Sequence, residues 1–228
     1  MSIVNVSNLE RTYESGAVQV RALDGVDLQI EPGEFTVLMG PSGSGKTTLL
    51  NCIGGLDTPT AGKVVVDGHD LGSMTKAERS EIRLKHIGFV FQAYNLVPVL
   101  SAFENAEFVM MLQGASPAER KQRVMETLAA VGLGGMEDRR PNELSGGQQQ
   151  RVAVARAIAG QPALVLADEP TANLDSKTGT ELVALMKQLN EDHGITFVFA
   201  THDPKVMAAA RRIVRMEDGR IASDEVRA

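Results

Sequence analysis

Three short stretches of this 228-residue chain place residues at spacings suited to phosphate chemistry. The first, Gly40-Pro41-Ser42-Gly43-Ser44-Gly45-Lys46-Thr47, fits the pattern G-x-x-x-x-G-K-[ST]. Its glycines let the main chain curl so that successive N–H groups aim inward at phosphate oxygens. A helix starting near Lys46 adds the positive end of its dipole. Lys46 is expected to reach the β- and γ-phosphates as a point charge, Thr47 to ligate Mg²⁺ through its hydroxyl, and Thr48 to add a phosphate contact. The second stretch, Leu164-Val165-Leu166-Ala167-Asp168-Glu169, is an apolar run that ends in two carboxylates. Behind a phosphate loop the aspartate of such a pair holds the magnesium, usually through water. Glu169, one residue on, is free to accept a hydrogen bond from an attacking water, and general-base help of that kind is worth about 10²–10⁴ in rate. The third, Leu144-Ser145-Gly146-Gly147-Gln148, leads into a helical run from Gln149 to Ala159. Ser145 is a good N-cap type and the two glycines leave N–H groups uncovered, so a second helix N-terminus offers itself to an anion. It has no lysine of its own.

These stretches need strands and helices to hold them. Ile3 to Tyr13 and Val18 to Ile30 read as strands parted by a turn at Glu14-Ser15-Gly16. Glu34 to Met39 is a short apolar strand running into the phosphate loop, and Lys46 to Gly54 is the helix leaving it. Lys63 to Val66 and Ile87 to Phe91 are further strands, so the first ninety residues read as strands and turns around one helix. Thr75…Glu78, Ser101…Glu104 and Ser116…Glu119 fit the capping box. Val124, Leu128 and Val131 then recur at helical spacing, with Gly132 as a C-cap. Residues 93–160 are read as a helical insertion between 1–92 and 161–228, which form the core. Ala163 to Ala167 and Ile195 to Ala200 are buried-type strands flanking a helix marked by Leu182, Leu185, Met186 and Leu189. Such alternation predicts an α/β fold with a mostly parallel sheet, an N-terminal antiparallel β region and a helical insertion.

Composition narrows the classes. Twenty-three Lys and Arg against 29 Asp and Glu leave a net charge of −6, a poor basis for sequence-independent nucleic-acid binding. Aromatics make up 4% with no Trp, too few for base-stacking platforms. The single cysteine, Cys52, cannot close an internal disulfide and reads as packing. With no signal-peptide pattern and no apolar run of about 18 residues, the expectation is a soluble cytoplasmic protein. His69, His86 and His193 lack ligand-like spacing and read as surface residues, and Met110-Met111 reads as core.

In combination, GPSGSGKTT, LSGGQQQ and LVLADEP, in that order, resemble the nucleotide-binding subunit of ABC transporters, whose own signature is LSGGQ. The resemblance covers nearly the whole chain. It implies ATP and Mg²⁺ as ligands, hydrolysis to ADP and phosphate, and a head-to-tail homodimer. In that dimer Ser145, Gly146, Gly147 and Gln148 of one copy face the nucleotide held by the other. By the same resemblance, Gln92 is similar to the glutamine that ligates magnesium and begins the helical insertion. His202 is similar to the switch histidine that touches the γ-phosphate and orients Glu169 or water. Tyr13 is similar to the aromatic that stacks on adenine, and Asp175 to the loop residue that crosses the dimer.

The stretches LLNCIGGLDTPTAG, FQAYNLVP and SAFEN resemble the branch that serves macrolide export and lipoprotein release (MacB-like and LolD-like), with a cell-division ATPase branch (FtsE-like) also similar. That likeness implies an integral membrane permease partner, docked near Ala93 to Leu100, and a location on the inner face of the cell membrane. The rival is a non-transport ABC ATPase in a soluble complex. Gln92 to Ser145 spans only 53 positions, too short for the coiled coils of chromosome-organising relatives, and one cysteine cannot supply a repair enzyme's zinc site. Iron–sulfur assembly ATPases are not excluded by length. A module that binds ATP without hydrolysing it would lack Glu169 or His202, and both are present.

Overall fold

The computed structural model describes residues 2–15 and 18–227. Gly16, on which the turn expected at Glu14-Ser15-Gly16 depends, lies outside them. Strands β1 (Val4–Ser15) and β2 (Val18–Ile30) pair antiparallel, and β4 (Ala61–Val66) and the two-residue β5 (His69–Asp70) complete a four-stranded antiparallel sheet ordered β2-β1-β4-β5. The second sheet holds β3 (Phe35–Met39), β6 (Ile87–Val90), β7 (Leu164–Asp168), β8 (Thr196–Ala200), β9 (Arg212–Glu217) and β10 (Arg220–Val226). Its order is β10-β9-β3-β8-β7-β6, parallel throughout except for the β9–β10 hairpin.

Because side chains alternate along a strand, a strand buried on both faces feeds two cores. Leu164 and Leu166 of β7 join β1, β2, β4 and helix α1 (Lys46–Ile53), while Val165 and Ala167 join the helical side. Val198 and Phe197 of β8 divide in the same way. On the helical side pack α3 (Ala102–Leu112), α4 (Pro117–Ala130), α5 (Gly146–Ala159) and α6 (Ser176–His193), with Val124, Leu128 and Val131 fully buried. The short α7 (Pro204–Ala209) precedes β9.

Between β5 and β6 lies a helix, α2 (Lys76–His86), so the described part of the first ninety residues holds an α-helix beyond the one the sequence reads. Its start is marked by the Thr75–Glu78 capping box, with both reciprocal hydrogen bonds made. The body carries no apolar stripe, only Ile82 being fully buried, so periodicity is silent there. Ser101 and Glu104 also form the full box, whereas Ser116 accepts from the Glu119 N–H without the return bond.

His69 and His86 are half-buried and not surface groups. Their rings lie 4.9 Å apart, and His86 Nδ1 is 2.6 Å from Asp67 Oδ2. Met110 is core, but its neighbour Met111 is exposed. Cys52 is buried, and that burial pushes its thiol up to about 12, which suits a packing role and not a reactive one.

Candidate functional site

The loop from Gly40 to Gly45 connects β3 to α1 with φ of +81° at Gly43 and +99° at Gly45, a region glycine enters without the usual cost. Close approach adds a second demand. A Cβ on Gly40 would lie 2.2 Å from the Met216 carbonyl oxygen, and one on Gly45 would lie 2.5 Å from that of Ala22. Lys46 opens α1 with its stem buried, and its Nζ donates to the carbonyls of Gly40 and Pro41, both at 2.8 Å. The ammonium therefore draws the loop closed upon itself.

Strand β7 delivers the carboxylates beside this loop. Asp168 Oδ1 accepts from Thr47 Oγ1 at 3.1 Å, joining residues 121 positions apart. Burial raises the Asp168 carboxyl above its usual range, with Glu169 adding to the rise while the Thr47 hydroxyl and Lys46 pull it back. Glu169 stands at the left-handed φ of +44°. Its N–H donates to the Ala200 carbonyl at 2.9 Å, Thr201 Oγ1 donates to its Oε2 at 2.7 Å, and His202 Nδ1 lies 2.6 Å from its Oε1. The carboxylate is thus gripped by residues just beyond β8 while His202 itself remains exposed. Thr201 is fully buried and was not foreseen; its place directly before His202, at the end of an apolar strand, was the available signal.

Beside these groups lies a cleft of about 640 Å³ lined by the phosphate loop, Lys46, Thr47, Thr48, Glu169, His202, Tyr13 and residues 20–22 of β2. Its size falls within the range of small-molecule and cofactor sites. Tyr13 is half-exposed at the rim, its hydroxyl donating to Asp57 Oδ2 at 2.5 Å, and the Arg11 guanidinium covers one ring face at 4.4 Å. Burial works to raise the Asp57 carboxyl, but hydrogen bonds from Tyr13, Thr58 and Arg11 outweigh it and hold the carboxyl below its usual range. Arg11 lies two residues from Tyr13, on the same face of β1, a spacing that could have revealed it. Ser44 is buried beneath the loop, 3.5 Å from Lys46 Nζ.

The other sequence-predicted residues do not line this cleft. Gln92 sits just after β6, and its carbonyl accepts from Asn173 Nδ2 at 2.9 Å. Ser145 caps α5, accepting from the Gln148 N–H at 3.3 Å while Gln148 Oε1 takes the Ser145 N–H at 2.9 Å. The Gln148 side chain is therefore turned back onto the cap. Gly146 and Gly147 lie where a Cβ would meet the Tyr94 hydroxyl at 2.8 Å and Thr178 Cγ2 at 2.2 Å, a packing demand not visible in the sequence. Asp175 caps α6, accepting from the N–H groups of Lys177 and Thr178, both at 3.0 Å.

Curled backbone, a cation, a hydroxyl and a carboxylate side by side, and a second carboxylate over the opening fit a polyphosphate with a hard divalent cation. Thr47 and Asp168 would hold the cation, and an oxygen-only pair is the donor chemistry magnesium prefers. Residues 23–172 match the model of the ABC transporter family. The chain belongs to that family. As an ABC transporter ATP-binding chain it is 48% identical over 222 residues to the lipoprotein-releasing system ATP-binding protein LolD of Anaeromyxobacter dehalogenans, covering 97% of this chain and 93% of that one. It is 45% identical over 221 residues to the macrolide export ATP-binding/permease protein MacB of Syntrophobacter fumaroxidans, 96% of this chain but only 31% of that longer protein. A solved dimeric structure of the ATP-binding cassette MJ0796 of Methanocaldococcus jannaschii, in a post-hydrolysis state bound to ADP and Pi, superposes with a TM-score of 0.89 at 45% identity, covering 98% of both chains. Among the described residues no helix is long and apolar enough to cross a membrane.

Proposed function

We propose that this chain binds Mg·ATP in the cleft above β3 and β7 and hydrolyses it to drive an integral membrane permease in export, lipoprotein release or other work across the membrane. The observation that carries the reading is Glu169, clamped by Thr201 and His202 in a cleft already furnished with Lys46 and Thr47, the latter bonded to Asp168. The phosphate loop and Lys46 hold the polyphosphate, and Thr48 adds a contact. Gln92 would join Thr47 and Asp168 in holding magnesium, which would supply neutralisation of phosphate charge. Glu169 accepts a proton from, or orients, the attacking water, and His202 steers Glu169. Tyr13, with Arg11 on one ring face, offers the other face to adenine.

Ser145 to Gln148 and Asp175 lie outside the cleft, which suits a composite site in which a second copy, head to tail, brings its α5 N-terminus to the phosphates. The relative MJ0796, solved as a dimer bound to ADP and Pi, supports a dimer. For ATP to switch such a dimer from 1:99 open to 99:1 closed, it must favour the closed form by roughly 5.5 kcal/mol, and two full sites make that reachable. Residues 93–160 act as the helical subdomain between the halves of the core, 1–92 and 161–228. Ser145→Arg is expected to block ATP-driven dimerisation by setting a bulky cation at that helix end. Light scattering in Mg·ATP reads the result, and a normal dimer would remove the composite site.

Permease docking falls near Ala93 to Leu100. Val97 and Val99 are exposed there, and Phe108, Met111 and Leu112 of α3 are exposed close by in sequence. Large apolar side chains left exposed to water suit an interaction surface. Asn105 holds this loop, its side chain bonding the Val97 N–H and the carbonyls of Val97, Leu100 and Ser101. Arg156 ties the start of the loop through the carbonyls of Tyr94 and Asn95. Kinship with LolD and MacB supports that branch and a place on the cytoplasmic face of the membrane. The test is affinity purification of Glu169→Gln from detergent-solubilised native membranes in Mg·ATP, followed by mass spectrometry. A multispanning partner is expected; a soluble partner such as iron–sulfur assembly machinery would replace the transport reading.

A further inference from the structure

Helix α5 contains a residue that has no part in that reading. Gln150 is fully buried. Its side-chain nitrogen donates to two main-chain carbonyls, Phe91 at 3.1 Å and Pro170 at 2.8 Å. Phe91 immediately precedes Gln92, and Pro170 immediately follows Glu169. With two acceptors in front of it, the amide can point only its NH₂ that way, and its oxygen faces elsewhere. Gln150 Oε1 is buried without any hydrogen-bond donor, a condition native proteins rarely leave unexplained.

The helix that carries this amide is seated hard against the sheet. A Cβ on Gly88 of β6 would lie 2.4 Å from the Ala157 carbonyl oxygen, so the far half of α5 rests directly on that strand. Its near end is the Ser145 cap, about 7.5 Å from Gln150 along the axis at 1.5 Å per residue. One side chain therefore joins the anion-facing helix to the main chain beside both the expected magnesium glutamine and the expected base.

We propose that Gln150 is a positioning residue whose buried amide ties the main chain at Phe91 and Pro170 to α5, and so sets where Gln92 and Glu169 stand as the Ser145 end of that helix engages nucleotide. The open acceptor at Oε1 leaves the joint one bond to gain when α5 shifts, giving it two arrangements that a ligand can bias. This rests on the ATPase reading above.

The test compares the full native chain with Gln150→Met, which keeps volume and removes both polar atoms, and with Val152→Ala, a buried control on the same helix. Steady-state kcat and KM for ATP are measured together with Tm. Gln150→Met is expected to lose roughly ten- to a hundredfold in kcat, the scale on which small misplacements act. Its KM should move by less than about threefold, which separates positioning from binding. Val152→Ala should match or exceed its loss of Tm and keep kcat within about threefold of native. Native kcat in Gln150→Met, or an equal loss in Val152→Ala, overturns the positioning role while leaving the ATPase reading standing. A native chain without ATP turnover overturns both. Should Gln150→Met not fold, Gln150→Asn, whose amide stops one methylene short, must show the same fall in kcat; a native value there overturns the proposal.

Discussion

Glu169→Gln binds Mg·ATP about as tightly as the native chain and turns it over roughly 10²–10⁴ times more slowly, the range removed with a general base. The substitution is nearly isosteric, so the left-handed backbone at φ +44° and the N–H bond to Ala200 remain. A glutamine oxygen still accepts from the Thr201 hydroxyl, which holds the side chain over the cleft. What disappears is the ability to take a proton or pull strongly on a water. Asp168 and Thr47 are untouched, so cation binding persists and the nucleotide stays. Single-turnover hydrolysis and nucleotide titration on the same preparation separate the two effects. Unchanged steady-state turnover would falsify the assignment of Glu169 as base and send attention to His202, exposed beside it. Thr201→Val should give a smaller fall, because His202 still holds one carboxylate oxygen when the other loses its donor.

The parts legible in the sequence were those whose reasons are local. Glycines before a lysine, a serine before two glycines, and an apolar run ending in carboxylates each carry their geometry in covalent structure and near-neighbour hydrogen bonds. The phosphate loop, the Ser145 cap and β7 therefore appear where spacing puts them. The Thr47–Asp168 contact joins two such local features, and only the strand order β3-β8-β7 brings them to the same end of the sheet. Side chains whose partners come from distant elements were not legible. Thr201 on Glu169, Asn173 on the Gln92 carbonyl and Gln150 across two loops each depend on topology. Helix α2 escaped for the opposite reason. It is local, but it buries so little that its charged surface hides the period and only its cap declares it.

Lys46→Ala is expected to fold and to lose about ten- to a hundredfold in affinity for ATP, since a charge-assisted hydrogen bond contributes about 1.5–3 kcal/mol. Folding should survive because alanine is the best helix former at the first position of α1. The loop keeps its φ values through Gly43 and Gly45 and its close contacts to Met216 and Ala22, none of which involve the lysine side chain. What changes is the interior of the loop. Nζ now bridges the Gly40 and Pro41 carbonyls, and in the bound form the same ammonium would meet phosphate oxygens. Removing it would leave the Gly40 and Pro41 carbonyl oxygens facing anionic phosphate oxygens with no ammonium between them. Lys46→Arg restores charge but brings a planar fork to a place built for a compact point charge, so it should recover affinity only in part. Isothermal titration in Mg·ATP measures all three chains, and a Kd for Lys46→Ala within about twofold of native would remove Lys46 from phosphate binding. Set beside Glu169→Gln, the two changes split the site: the lysine variant loses the ligand, and the glutamine variant keeps the ligand and loses the reaction.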